Sequence, residues 1–248
     1  MCNYTANNTN KKTLIEKYKR ELKRSDLEPN TGFFLNGFSF PNLNIITTEE
    51  PELIDVGKWG LVPTKINTSK AANEYAVYTL NAKSETVFDL PSYKDAIRPR
   101  RCLIAATGFF EWSHFGKGKN LIKYPNYIYL KEEKILSFGG LYDTWTDKET
   151  GKQTTTFSII TVPANPLMAK IHNTKERMPL IFTSENENNW LNPNLTDKDI
   201  KELMQPLNEK YMGAHTIKKI DPKKVDPLNE KTIETFEYPE LTAINKLF

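Results

Sequence analysis

Apolar residues come mostly in short runs, alternating or continuous, cut by Gly, Pro and Asn. Between residues 31 and 163 they predict strands at 33–40 (FFLNGFSF), 43–48 (LNIITT), 53–62 (LIDVGKWGLV) and 101–113 (RCLIAATGFFEWS). Further strands are predicted at 126–131 (NYIYLK), 135–145 (ILSFGGLYDTW) and 154–162 (TTTFSIITV). Helical spacing appears outside this region. Leu14, Tyr18 and Leu22 recur at i, i+4 and i+8, which predicts an amphipathic helix over 13–24 with a basic outer face. Asn165 before Pro166 reads as the start of a short helix over 165–171 that delivers His172 at its C-terminal end. Ser184 with Glu187, and Thr196 with Asp199, have capping-box spacing. The first would open a helix carrying Trp190 and Leu191, the second a helix carrying Ile200, Leu203 and Met204. The last thirty residues are polar and contain Pro, and read as a tail wrapped on the surface.

Neither βαβ alternation nor a Gly-rich phosphate loop is present, so a doubly wound nucleotide-binding fold is not expected. The pattern predicts an α+β protein with a mixed, barrel-like β core of many short strands and peripheral helices. One domain over 1–248 is expected, with the chemistry-bearing part at about 1–183 and helices and tail over 184–248.

Composition narrows the function. The 248 residues include 38% hydrophobic side chains and 15 prolines, with a mean hydropathy of −0.57, as in a soluble globular protein. Net charge is +3, from 34 basic and 31 acidic side chains. That small excess does not by itself call for a nucleic-acid partner, because holding phosphates needs a local patch. The only cysteines are Cys2 and Cys102, with no C-x-x-C pair, so neither a disulfide framework nor a structural zinc site is expected. The three histidines are widely separated and suggest no metal or other cofactor. The opening MCNYTANNTNKK lacks the apolar stretch of a signal peptide, and no apolar run is long enough to cross a bilayer. An intracellular, soluble protein without membrane contact is expected.

Several polar groups stand where they could do chemistry. If Met1 is removed, Cys2 presents an α-amine titrating near ~7.7–8.0 beside a thiol near ~8.5. Such an aminothiol attacks an aldehyde through nitrogen and closes a thiazolidine through sulfur; otherwise Cys2 is an ordinary residue in a tail. Asn81, in N-A-K-S-E-T, could orient an amine or thiol, or could serve as a turn or cap residue. In G-F-F-E-W, strand alternation places Glu111 on the face of Phe109 and away from Phe110 and Trp112. Enclosed there, its carboxyl would be a general acid near neutral pH; turned outward, it would be a solvated surface group. His172 could exchange protons or be structural, and Arg177 could grip a phosphate with a bidentate fork. Trp59, in K-W-G-L-V-P, and the Phe40-Pro41 pair could stack on unpaired bases or fill core. Cys102, inside a predicted strand, should be buried and inert.

Together, Met1-Cys2, W-G-L-V-P at 59–63, N-A-K-S-E-T at 81–86, R-C-L-I-A-A-T-G-F-F-E-W at 101–112 and H-x5-M-P at 172–179 resemble the SOS response-associated peptidase (SRAP) family. The motifs occur in the family's order. The resemblance implies self-removal of Met1 and capture of abasic sites in single-stranded DNA as a thiazolidine crosslink that protects the lesion during the damage response. By motif position it implies Cys2 as nucleophile, Asn81 orienting the N-terminal residue, Glu111 as acid/base, and His172 in sugar-ring opening and crosslink reversal. It implies phosphate contacts at Lys83 and Arg177, a further DNA contact at Thr161, and an apolar surface of Pro41, Trp59, Pro63 and Trp112 that splays the strand. The implied partner is single-stranded DNA bearing abasic sites, bound by a monomer. Three departures stand out. Asn3 and Tyr4 replace a Gly-Arg pair, Lys83 replaces an arginine, and Asn173, Thr174, Lys175 and Glu176 lengthen the step from His172 to Arg177. Two other functions fit the same residues: a non-covalent reader of single-stranded or modified DNA, and an N-terminal-nucleophile peptidase limited to self-processing.

Overall fold

The computed structural model describes residues 2–23 and 27–241; Met1, and with it the expected Met1 removal, lies outside them. In chain order the strands are β1 (Tyr4–Asn7), β2 (Glu21–Leu22), β3 (Gly32–Asn36), β4 (Asn42–Thr47), β5 (Leu53–Trp59), β6 (Asn81–Lys83) and β7 (Arg101–Ala106). They continue with β8 (Gly108–Phe115), β9 (Ile122–Leu130), β10 (Leu136–Thr146), β11 (Gln153–Pro163), β12 (Arg177–Pro179), β13 (Ile181–Phe182) and β14 (Met212–Thr216). The helices are α1 (Lys11–Tyr18), α2 (Ser69–Ala76), α3 (Pro166–Ile171), α4 (Glu187–Leu191) and α5 (Asp197–Leu203).

The most apolar strands close into a five-stranded barrel. β5, β4, β7, β10 and β11 pair antiparallel in that order, and a short parallel seam at Thr156–Lys58 and Phe157–Trp59 joins β11 back to β5. Closure removes exposed strand edges, and buried Ile45, Ile104, Leu141 and Phe157 belong to its core. β7 is buried along its whole length, which is why R-C-L-I-A-A reads as a continuous apolar run rather than an alternating one. The exception, Arg101, is fully enclosed and donates to the carbonyls of Ile97, Arg98, Trp190 and Asn192, so every guanidinium nitrogen has an acceptor.

Gly140 fits where no larger residue could. A Cβ there would lie 2.4 Å from Ile104 Cδ1 and 2.6 Å from the Ser158 carbonyl oxygen. Because the second neighbour is backbone, Gly140→Ala should cost about 1–3 kcal/mol. The expected readout is a lower thermal midpoint, and an unchanged midpoint would show that β10 can shift to make room.

A second sheet, ordered β14-β9-β8-β1-β3, lies against the barrel. Its alternation sends Phe109 and Ile128 into the main core, while Phe110, Tyr127, Ala6 and Phe34 form a smaller cluster on the other face with Ile217. β1 is an interior strand of this sheet, paired with β3 and β8. That holds the first residues of the chain in place and contradicts the reading of Cys2 as part of a loose tail.

Several predicted elements differ in detail. The helix over 13–24 stops at Tyr18, because Lys19 turns into the left-handed region (φ 54°) and Glu21–Leu22 pair in parallel with β5. Arg24, at the end of that predicted span, lies outside the described residues. The run 101–113 breaks at Thr107 into β7 and β8, which belong to different sheets. The Thr196–Asp199 capping box forms as expected. The Ser184–Glu187 box does not. Ser184 bonds Glu133 and Lys17, and Glu187 is buried against Ser137 and Lys17, which leaves α4 to start at Asn186. β14 was not predicted, since Met212-Gly213-Ala214 lacks strand alternation and is held by pairing with β9. Part of the predicted tail is also anchored. Phe33 N–H donates to Pro227 O, and buried Tyr238 donates to Ile217 O.

Candidate active site

Glu111 projects from β8, opposite Asn126 of β9, on the face that looks toward the barrel. It is 6% exposed. Burial strips water from its carboxylate and raises the pKa from 4.5 to about 7, with Lys175 pulling the other way. The carboxyl is therefore about half protonated at neutral pH, and its position is the enclosed one rather than the solvated one.

His172 caps the C-terminal end of α3. The helix starts as the sequence indicated, with Asn165 Oδ1 accepting from Met168 N–H and Pro166 in the first turn. The ring is buried. Its Nδ1 lies 2.8 Å from Arg177 O, which can only accept, so Nδ1 carries the hydrogen and Nε2 keeps its lone pair. Nε2 faces Glu111 Oε2 at 3.7 Å. Burial lowers the His172 pKa to about 4; the bond to the Arg177 carbonyl opposes this, and Lys175 and His114 add to it. At neutral pH the two groups are not an ion pair. They are a neutral imidazole beside a carboxyl that readily gives or takes a proton.

Cys2 is 1% exposed, with Sγ 3.8 Å from Tyr4 O. Burial first, and then the nearby Glu111 charge, push its thiol well above the ordinary range. Cys2 and Glu111 are thus electrostatic neighbours although 109 positions apart in sequence. Cys102 is also buried with a raised pKa, as its strand position suggested.

Asn81 begins β6, held parallel to β11 in register with Ile159, rather than capping a helix. Its amide nitrogen donates to Asn3 Oδ1 at 2.9 Å. Its own Oδ1 is buried without a hydrogen-bond partner among the described residues. An acceptor left open beside Asn3 is suited to receive an N–H from the start of the chain.

A cavity of about 500 Å³ lies beside Glu111 and His172. Asn3, Tyr4, Glu111, Trp112 and His172 form part of its wall. Tyr4 stacks on Phe34 and meets Trp112 edge-on, with each pair of ring centres 5.2 Å apart. Trp112 is half-buried and does contribute surface.

The other expected DNA contacts fall elsewhere. Trp59 has no exposed surface; its indole N–H donates to Leu80 O and its ring stacks on Phe157, so it is core. Pro41 and Pro63 are buried as well. Thr161 is fully buried, with its hydroxyl accepting from Arg177 Nη2 at 3.2 Å, and offers no direct contact to a strand. Arg177 is committed to an ion pair with Glu85 and to the Thr161 carbonyl. Its contribution to the site is its backbone carbonyl, which fixes the His172 tautomer. Lys83 is exposed at the end of β6, in register with Thr161. Asn3, Tyr4 and Lys175 were not singled out from sequence as site residues. Only the departures from the family pattern pointed toward them.

The family model for SOS response associated peptidase (SRAP) matches residues 1–220. The chain belongs to the SRAP family. A SRAP relative, abasic site processing protein YoqW of Bacillus subtilis, is 36% identical over 173 residues, covering 68% of this chain and 72% of its own. A second B. subtilis relative, abasic site processing protein YobE, is 35% identical over 161 residues, covering 64% of this chain and 68% of its own. The SRAP-like fold is shared with a crystal structure from Bacteroides thetaiotaomicron, at a TM-score of 0.85 and 36% identity, covering 95% of this chain and all of the other. No group of three or more His, Cys, Asp or Glu among the described residues is placed to hold a metal ion, and no helix among them is long and apolar enough to cross a membrane.

Proposed function

We propose that the protein acts on abasic sites in DNA, capturing them in single strands through the α-amine and thiol of Cys2 once Met1 has been removed. The observation that carries this reading is the Glu111–His172 proton pair in the wall of one cavity, with Cys2 an electrostatic neighbour of Glu111, and with Asn81, its own acceptor open, bonded to Asn3 of the same wall. The relatives named abasic site processing proteins support the substrate class.

In this mechanism the neutral Nε2 of His172 takes the proton from the sugar's C1′ hydroxyl. The C1′–O4′ bond breaks, O4′ is protonated, and an aldehyde is left at C1′. The Cys2 amine, held by Asn81 Oδ1, attacks that carbon. Protonated Glu111 donates to the departing hydroxyl, which leaves as water and gives an imine. Sγ then adds to the imine carbon, and its proton passes to nitrogen to complete the thiazolidine. The net change is loss of one water. The raised thiol pKa favours this order, because a protonated sulfur is a poor first nucleophile while the amine is partly free. Reversal runs the same steps backward.

The test has two parts. Intact mass should be lower by one methionine, since a retained Met1 blocks the amine. Incubation with a uracil-containing single strand, pretreated with uracil glycosylase, should give a heat-stable protein–DNA band on a denaturing gel. Binding of the strand without any such band would favour the non-covalent reader.

A further inference from the structure

Of the four residues between His172 and Arg177, Thr174 and Lys175 line the cavity. Asn173 clips this segment to β8 through two hydrogen bonds, accepting from His114 N–H at 3.0 Å and donating to His114 O at 2.8 Å. The clip places Lys175 at the cavity wall, close enough to act electrostatically on both Glu111 and His172. Two more lysines line the same cavity. Lys123 sits on β9, directly opposite His114. Lys219 follows β14 and rests over the rings of Tyr124 and Tyr238, at 5.5 and 5.9 Å. All three are exposed, and the only acidic residue in the lining is Glu111.

A chain of net charge +3 thus gathers three cations around a single half-protonated carboxyl. That is the local patch that bulk composition could not reveal. Arg177, the residue otherwise placed to grip a phosphate, is turned away to Glu85 and Thr161. Position 4, where the family pattern has arginine, is an aromatic ring.

We propose that Lys123, Lys175 and Lys219 form a phosphodiester-binding rim that holds the single-stranded backbone across the mouth of the cavity. The rim rests on the reading of the cavity as the lesion site, and adds a ligand contact that the family motifs do not assign. Lysine suits it. A compact ammonium on a flexible stem follows a mobile backbone without the fixed geometry of a guanidinium fork.

The experiment measures equilibrium binding of a single strand carrying a tetrahydrofuran abasic analogue, which has no aldehyde and cannot react. Affinity is followed from 50 to 200 mM salt, for the wild type and for the combined variant Lys123→Ala, Lys175→Ala, Lys219→Ala. Each lysine–phosphate contact in a single strand contributes about 0.7 to the slope of log K against log salt, so the variant's slope should be shallower by about 2. Over that fourfold range the wild type should lose about 20-fold more affinity than the variant. Exchanging the three exposed lysines Lys12, Lys148 and Lys198, none of which lines the cavity, for alanine makes the same charge change and should leave the slope nearer to wild type. Equal slopes for the wild type and the cavity variant, equal loss in both triple variants, or no binding by the wild type would each overturn the rim. The crosslinking gel separates the two ideas. A shallower slope without a crosslinked band would leave the rim standing and remove the covalent reading; a crosslinked band with unchanged slope would do the reverse.

Discussion

Cys2→Ala is expected to abolish the heat-stable crosslink to abasic single-stranded DNA and to leave strand binding in place. Alanine at position 2 keeps an α-amine after Met1 removal but has no sulfur, so any adduct stops at the imine, which hydrolyses on heating. Cys2→Ser should behave the same way, and in both variants borohydride reduction should convert the labile imine into a stable secondary amine. The pair of variants therefore separates the two nucleophiles of one residue. A heat-stable band from Cys2→Ala without reductant would sink the proposal. Because Cys2 is buried within the main core, the variants need a stability check as well. Serine puts a hydroxyl where a thiol was, at a cost of about 1–3 kcal/mol if it finds no partner, whereas alanine loses only a small apolar volume.

Glu111→Gln should slow crosslinking by about 10²–10⁴-fold at neutral pH, the usual contribution of a positioned general acid. Its effect on the pH profile is more telling than its size. In the proposed mechanism the productive state needs Glu111 protonated, with a pKa of about 7, and the Cys2 amine free, with a pKa near ~7.7–8.0. The rate should be bell-shaped, with its maximum between these values and an alkaline limb falling about tenfold per pH unit. Glutamine cannot titrate, so the variant should lose the alkaline limb and rise to a plateau as the amine deprotonates. A variant that keeps the limb would assign it to another group.

Stability should move in the opposite sense. Folded Glu111 holds its proton to about 7 and the ordinary carboxyl only to 4.5, so its contribution is complete below pH 4.5 and is lost as pH rises toward 7. His172 has the reverse sign, its contribution being present above 6.5 and lost as pH falls toward 4. Glu111→Gln removes the first dependence. It should therefore be more stable than the wild type at pH 8, a trade of stability against function at one side chain.

What could be read from the sequence follows from the range of the interactions involved. The strands at 43–48, 135–145 and 154–162 were legible because β-branched and aromatic runs reflect burial at each position. The alternation in G-F-F-E-W put Glu111 on one face with Phe109 and left open whether that face was enclosed; in the fold Glu111 is buried. The stop of α1 at Tyr18 was not legible, because only the parallel pairing of Glu21 with Leu53 pulls the chain out of a helical course. Trp59 shows the limit for side chains: an aromatic beside Gly and Pro looks the same whether it stacks on a base or, as here, donates to Leu80 O inside the core. Lys123, Lys175 and Lys219 are separated by 52 and 44 positions, and no sequence window contains them together. Arg177 was named for its guanidinium, yet its carbonyl reaches the site, and backbone contributions leave no mark on residue type.

The placement of β1 inside the second sheet bears on how the molecule is made. Its partners are β3 and β8, and the groups proposed to act with Cys2 come from residues 81, 111 and 172. The first residues to leave the ribosome must therefore wait for some of the later ones before they acquire neighbours. At about 5–20 residues per second, His172 is added roughly 10–35 s after synthesis begins. During that interval the groups at 81, 111 and 172 are not yet assembled beside the start of the chain. If Met1 is removed by the protein itself, removal should be confined to chains that have grown past His172, and ribosome-bound chains arrested before that point should retain it. The reactive N-terminus would then be unmasked only on molecules already folded around it.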